Sequence, residues 1–274
     1  MRASSQAAMA GVIMATDRAL DALKDPEASY KVASEFFELE DMTASDARFT
    51  RALTDPSRSL QDRQNLARSL LSKKMSPITV EAVVGLLQGR WPREEDFSKG
   101  LEVLAIHTLL HSADSSGVLD EVERNVFSVS QLLNRYRELR GALVESHFDN
   151  ADERVTLITN LVGEQIHPIA MELVSHAVRT AKAGRLQSEL RSMCDVAASV
   201  RNRRMATITS AFELTEGQIE RISKALTQKL GTQMVINVVV DPSIVGGLKM
   251  RFGDQIVDGS IHTSLNNTRR RLAG

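Results

Sequence analysis

The sequence predicts a mainly α protein: an N-terminal helical bundle with a duplicated helical unit, a long connector helix, and a small α/β domain at the C-terminal end. Three observations predict it. No proline falls between Pro92 and Pro168, or between Pro168 and Pro242, and proline-free stretches leave room for long helices. Apolar residues recur at spacings of three and four through most of the first 205 positions, the period of an amphipathic helix. After residue 205 β-branched runs take over, MATITSA at 205–211 and MVINVVV at 234–240, and five of the fifteen glycines fall within 246–274, as closely spaced turns require.

Each element has its own signal. The opening MRASSQAAMAGVIMATDRAL has one Arg before a weakly apolar stretch and an early Asp17, a poor signal peptide. No stretch has eighteen consecutive apolar residues, so nothing is expected to span a bilayer. Ser76-Pro77 reads as an N-cap followed by a first-turn proline. Glu94-Glu95-Asp96, after Trp91-Pro92, reads as an acidic first turn that offsets the helix dipole. Segment 101–110, LEVLAIHTLL, is apolar almost all round and is expected at the centre of a bundle. Val118, Val122, Val126, Val129, Leu132 and Leu133 place one apolar stripe along 118–139, and Leu186, Leu190, Met193, Ala197 and Val200 do the same along 185–205. Thr215 and Gln218 form a capping box opening GQIERISKALTQKL. Leu248, Met250 and Phe252 alternate with Lys249 and Arg251, a half-buried strand. The expected division is a helical bundle over 1–184, a connector helix over 185–205, and a small α/β domain over 206–274 made of a strand, a helix, two or three short strands and a final helix.

The bundle contains an internal repeat. Segment 51–87 lies on 141–178 at a shift of 91 residues, pairing Arg63 with Arg154, Leu66 with Leu157, Leu70 with Leu161, Met75 with Ile166, Pro77 with Pro168, Ile78 with Ile169 and Glu81 with Glu172. One residue of slippage then pairs Ala52-Leu53 with Ala142-Leu143. So long a period implies a duplicated multi-helix unit rather than a short solenoid repeat. Amphipathic helices resemble one another cheaply, and chance similarity is the competing explanation.

Composition narrows the function classes. The chain has 274 residues, 34 Lys+Arg against 35 Asp+Glu, and a formal net charge of −1, a balance that argues against bulk nucleic acid or an anionic membrane as the main partner. Its one cysteine, Cys194, excludes an internal disulfide framework and fits a reducing compartment. The sequence has no G-x-x-x-x-G-K-[ST] loop, no G-x-G-x-x-G after a strand and no G-x-S-x-G elbow. Gly246-Gly247 is read as a tight turn rather than a phosphate cradle. His107 and His111 have a metal-ligand spacing with Asp114 nearby. The H-E-x-x-H glutamate is absent, however, and Ile106 and Leu110 mark a packed helix, so histidines satisfied in the bundle or facing solvent are expected instead. Cys194 lies within an amphipathic helix with no activating partner near in sequence, the setting of an inert thiol. The basic clusters Arg201-Asn202-Arg203-Arg204 and Arg269-Arg270-Arg271 sit at expected helix C-termini, where cations complement the dipole. An RNA-binding tail is the alternative, short of stacking aromatics because only Phe212 and Phe252 lie there. No catalytic, cofactor or metal residues are assigned.

The tail, VINVVVDPSIVGGLKMRFGDQIVDGSIHTSLNNTRRRL at 235–272, resembles the C-terminal signature of the F-type ATP synthase delta subunit family, which includes the mitochondrial oligomycin-sensitivity-conferring protein. The ordered set is Val240-Asp241, Gly246-Gly247, Gly253-Asp254 and Asp258-Gly259-Ser260, the last opening a helix in the family pattern. Segments 185–211 and 215–226 are similar to the connector and the amphipathic helix of the same family. The extra length, with ALTDP, GRWP and VLDEVERNVF, resembles the long form of high-GC Gram-positive bacteria.

The resemblance implies a non-catalytic stator: a helical domain that grips the N-terminal segments of the ATP synthase alpha subunits, and a C-terminal domain that holds the C-terminal end of the b-subunit stalk. It implies a place at the cytoplasmic face of the bacterial cell membrane, reached only through the complex, with no nucleic acid bound. Candidate partner contacts are Ala8, Val12, Ala15 and Ala19 on the first helix, whose stripe serves equally well as an intramolecular core face, and Ile244, Val245 and Leu248 in the tail. Asp241 and Asp258-Gly259 are expected to build turns. A helical adaptor with other partners is the remaining alternative.

Overall fold

The computed structural model describes residues 3–91, 93–144, 150–180, 184–203, 205–230, 235–241, 247–252 and 255–260. The chain forms two compact units, Met1–Ala197 and Ala198–Gly274.

The first unit is all helical. Its helices are α1 (Ala3–Leu23), α2 (Pro26–Ser45), α3 (Ala47–Thr54), α4 (Leu60–Leu71), α5 (Pro77–Leu86), α6 (Glu94–Ser115), α7 (Leu119–Arg135), α8 (Arg137–Val144), α9 (Ala151–Val162) and α10 (Pro168–Thr180), followed by α11 (Leu186–Arg203), which crosses the boundary between the units. The caps are local. Asp25, Asp46, Ser59, Ser76 and Asn150 each accept a backbone N–H of the helix they open, satisfying donors that have no partner inside the helix. The segment 118–139 is two helices rather than one, because Tyr136 turns to an extended backbone between α7 and α8. α6 ends in a Schellman turn: Gly117, at φ 74°, donates to the Asp114 carbonyl at 3.0 Å, and Val118 donates to that of Ala113 at 2.9 Å.

α6 is the central helix, and Leu101, Leu104, Ala105, Leu109, Leu110 and Ala113 along it are buried. α2 lies along it antiparallel. Ser98 donates to Thr43 Oγ1 at 2.8 Å near one end, and Ser112 donates to the Pro26 carbonyl at 3.0 Å near the other. Two glycines allow close approach. A Cβ on Gly85 would stand 2.8 Å from Val12 Cγ2, and one on Gly100 would stand 3.0 Å from the Trp91 ring. Trp91 is held by an Nε1–H bond to the Leu86 carbonyl at 2.7 Å and an edge-on contact with Phe97.

The helices follow the 91-residue period throughout. Shifted by 91, α1 covers 94–114 where α6 spans Glu94–Ser115, and α2 covers 117–136 where α7 spans Leu119–Arg135. α4 and α5 fall on 151–162 and 168–177, where α9 and α10 start at Ala151 and Pro168. α6 falls on 185–206, where α11 spans Leu186–Arg203. One helix, α6, therefore occupies the last place of one set and the first place of the next. Side chains repeat with the backbone: buried Ala67 and Leu71 correspond to buried Ile158 and Val162. The entry to each later helix is tied the same way, Ser76 N–H to Glu35 on α2 at 2.9 Å and His167 N–H to Asn125 on α7 at 2.8 Å.

The second unit holds β1 (Met205–Ser210), α12 (Glu216–Leu230), β2 (Val235–Val240), β3 (Gly247–Phe252) and β4 (Gln255–Ser260). The sheet order is β2-β1-β3-β4; β1 pairs parallel with β2 and antiparallel with β3, and β3 pairs antiparallel with β4. The parallel pair needs a crossover, which α12 supplies. Leu226 of α12 is buried against Ile222, Ile236 and Met250. The capping box is reciprocal: Gln218 N–H donates to Thr215 Oγ1 at 3.4 Å, and Thr215 N–H to Gln218 Oε1 at 2.9 Å. One expectation is corrected here. Asp258-Gly259 does not build a turn. With Ser260 it ends β4, paired with Lys249, Leu248 and Gly247 of β3, because the antiparallel ladder extends over all six residues of the strand. The expected final helix lies outside the described residues.

Candidate docking surfaces

α1 presents its first-helix candidates along one stripe bordering α5. Val12 is buried against Gly85, Ala8 and Ala19 are half-buried, and Ala15 is exposed. Exposed Met14 flanks the stripe. The helix is anchored from beneath by two polar pairs to α6. His107 Nε2 lies 2.9 and 3.1 Å from the Asp17 carboxylate oxygens, and His111 Nε2 lies 3.2 Å from Asp21 Oδ1. Both histidines are buried, so carboxylate partners offset the cost of burying their polar edges. The i,i+4 spacing that suggests metal ligands is thus used to match an i,i+4 pair of aspartates.

Two grooves open in the helical unit. One, of about 670 Å3, lies between α2, α9 and α10; Tyr30, Phe37, Val155 and Met171 give it apolar walls, and Asp41 and Arg179 stand at its rim. Tyr30 donates to Glu172 Oε2 at 2.6 Å across its mouth, and this bond, with burial, pushes the phenol up to about 12. The other, of about 290 Å3, lies between α7 and α11 and is lined by Phe127, Asp120, Glu123, Arg124 and Cys194. The Cys194 thiol points at the Glu123 carbonyl at 4.0 Å, and burial, reinforced by Glu123 and Asp195, raises it to about 11. Such a thiol is the reverse of an activated nucleophile.

Sequence periodicity points to neither groove. The signal available was an aromatic off the apolar stripe: Phe127 stands beside, not on, the Val122–Val126–Val129 line, and half of it is exposed. In the second unit Leu248 is half-buried, Val239 and Val240 at the end of the edge strand β2 are exposed, and Asp241 N–H donates to the Ser210 carbonyl at 2.8 Å. Ile244 and Val245 lie outside the described residues. Among the described residues no three His, Cys, Asp or Glu side chains group as a metal site would require.

The model of the ATP synthase delta (OSCP) subunit family matches residues 107–272. The chain belongs to that family. An ATP synthase subunit delta from Beutenbergia cavernae is 34% identical over 275 residues, covering 100% of both chains, and one from Streptomyces griseus is 32% identical over 276 residues with the same coverage. One from Kineococcus radiotolerans is 34% identical over 244 residues, 89% of this chain and 88% of its own. A chain of the Toxoplasma gondii mitochondrial ATP synthase hexamer aligns at 19% identity over 62% of this chain and 95% of its own, with a TM-score of 0.33, too low to bear on the fold. Delta subunits of the first two species align with this chain over the full length of both. As a delta-family member the chain is a non-catalytic, peripheral-stalk subunit of a membrane-associated ATP synthase. No helix among its described residues is long and apolar enough to cross a membrane.

Proposed function

We propose that the helical unit grips the N-terminal segments of the alpha subunits, that the α/β unit holds the C-terminal end of the b subunit, and that both act at the cytoplasmic face of the bacterial cell membrane. The observation that carries this reading is the stripe of α1. Ala8, Ala15 and Ala19 lie low beside α5 with Val12 beneath them, so the backbone of an amphipathic helix can approach closely while the Asp–His pairs keep α1 from yielding. Four or five apolar anchors at about 1.5–3 kcal/mol each give roughly 6–15 kcal/mol gross, before association costs. Ile244, Val245 and Leu248 are the proposed stalk contacts of the tail. The helices α7 to α11 are proposed to be the product of a duplication that lengthens the bundle, and residues 185–205 are proposed to be a connector that spans the division between the compact units at Ala197.

Calorimetric titration of the full chain with a synthetic alpha N-terminal segment tests the first contact. Ala15→Glu, on an exposed position, is expected to weaken binding at least tenfold while leaving capture of the b subunit intact. Unchanged affinity in that variant removes α1 as the contact.

A further inference from the structure

Three helices of the first unit, α2, α6 and α10, meet at one imidazole. His176 of α10 is 6% exposed. Its Nδ1 lies 3.8 Å from Glu40 Oε2 on α2, and its Nε2 lies 3.5 Å from Glu102 Oε1 on α6. The Phe37 ring covers it at 4.7 Å between centroids. Glu189 of α11 belongs to the same group; its carboxyl is raised by burial and by Glu102, and lowered by Lys99, His176 and Arg185. Glu40 is pushed up to about 7, first by burial, with His176 opposing, Glu102 and Asp41 adding, and Arg179 opposing. Glu40 Oε2, His176 Nε2 and Glu189 Oε2 are all buried with no hydrogen-bond partner among the described residues. One imidazole thus stands between two carboxylates from two other helices, with Asp41, Lys99, Arg179, Arg185 and Glu189 as the surrounding charges.

We propose that this cluster is a proton-operated latch: protonated, it ties α10 through His176 to Glu40 on α2 and Glu102 on α6, and as protons leave that tie is lost, so that α10 loosens from α2 and the groove lined by Tyr30, Phe37 and Met171 opens. The physical reason is that buried like charges can be held only while one is neutral or an opposite charge stands between them. The sign follows from linkage. A carboxyl with a raised folded-state pKa stabilises the fold fully below its ordinary value of 4.5 and loses that contribution as pH rises through about 7. The latch is therefore closed on the acid side of neutrality and loosened on the alkaline side. It concerns the inside of the helical unit and holds whichever partner occupies α1.

Hydrogen exchange of the full chain, corrected for the intrinsic pH dependence of amide exchange, tests this. Amides of α10 and of the facing half of α2 are expected to exchange at least about tenfold faster at pH 8 than at pH 6, tenfold being one pKa unit of differential stabilisation. Glu40→Gln is expected to abolish the difference, because the variant has no ionisable partner on α2 for His176 to hold. A pH-independent α10 in the wild type, or a Glu40→Gln chain that keeps the wild-type dependence, overturns the latch. Should Glu40→Gln fail to fold, the His176 ring signals of the wild-type chain decide: titration between pH 5 and 8 in step with α10 loosening supports the latch, and titration without loosening overturns it.

Discussion

Phe36 on α2 and Phe127 on α7 stand one 91-residue period apart on corresponding helices, yet the first is fully buried and the second is 51% exposed. The same contrast recurs at the helix entries. Buried Glu35 accepts both the Ser76 N–H and the Thr79 hydroxyl, whereas at His167 the tie is a single bond, donated by the His167 N–H and accepted by Asn125 Oδ1. The period reproduces helix lengths and starts; it does not reproduce how tightly each helix is sealed. At this matched position the first half puts its aromatic into a closed core, and the second leaves it on a groove wall, where a partner can meet it.

Substitutions at matched positions should widen or erase this difference. The largest expected effect is at the aromatic pair. Phe36→Ala should cost about 3–5 kcal/mol as a core cavity, and Phe127→Ala less than about 1 kcal/mol, by urea unfolding. Equal losses would mean that the α7 groove is packed after all. Next come the helix entries. Glu35→Ala strands a buried N–H and a hydroxyl and is expected to cost about 2–3 kcal/mol, against about 1 kcal/mol for Asn125→Ala. Smaller still is Tyr30→Phe, which removes one partly exposed hydrogen bond to Glu172 and should cost about 0.5–1 kcal/mol. Cys194 should affect stability least but reactivity clearly. With its thiol raised from 9.0 to about 11, iodoacetamide at pH 7.5 should label the native chain roughly a hundredfold more slowly than the urea-unfolded chain. Fast labelling would show that the α7–α11 groove opens readily.

Much of the fold was legible because its signals are short-ranged. Ser76-Pro77 caps α5, Thr215 and Gln218 box the start of α12, and Leu248 and Met250 alternate with exposed Lys249 on β3. The break at Tyr136 was not legible, since the apolar period runs through it. The docking surfaces were legible only in part. The α1 stripe is a local pattern, but the grooves are made by helices far apart in sequence, 142 residues for the Tyr30–Glu172 bond and 71 for the Cys194–Glu123 contact.

The sequence alone determined the starts of α5, α6 and α12, the 91-residue period, and the delta-family signature of the tail, because caps, periodicity and turn residues depend on neighbours within a few positions. Only the tertiary structure decided which buried charges face one another. Asp17 meets His107, Asp21 meets His111, and Glu40 and Glu102 flank His176. The reason is that a buried ion finds its partner through the packing of whole helices, and no local pattern of residues encodes that distance.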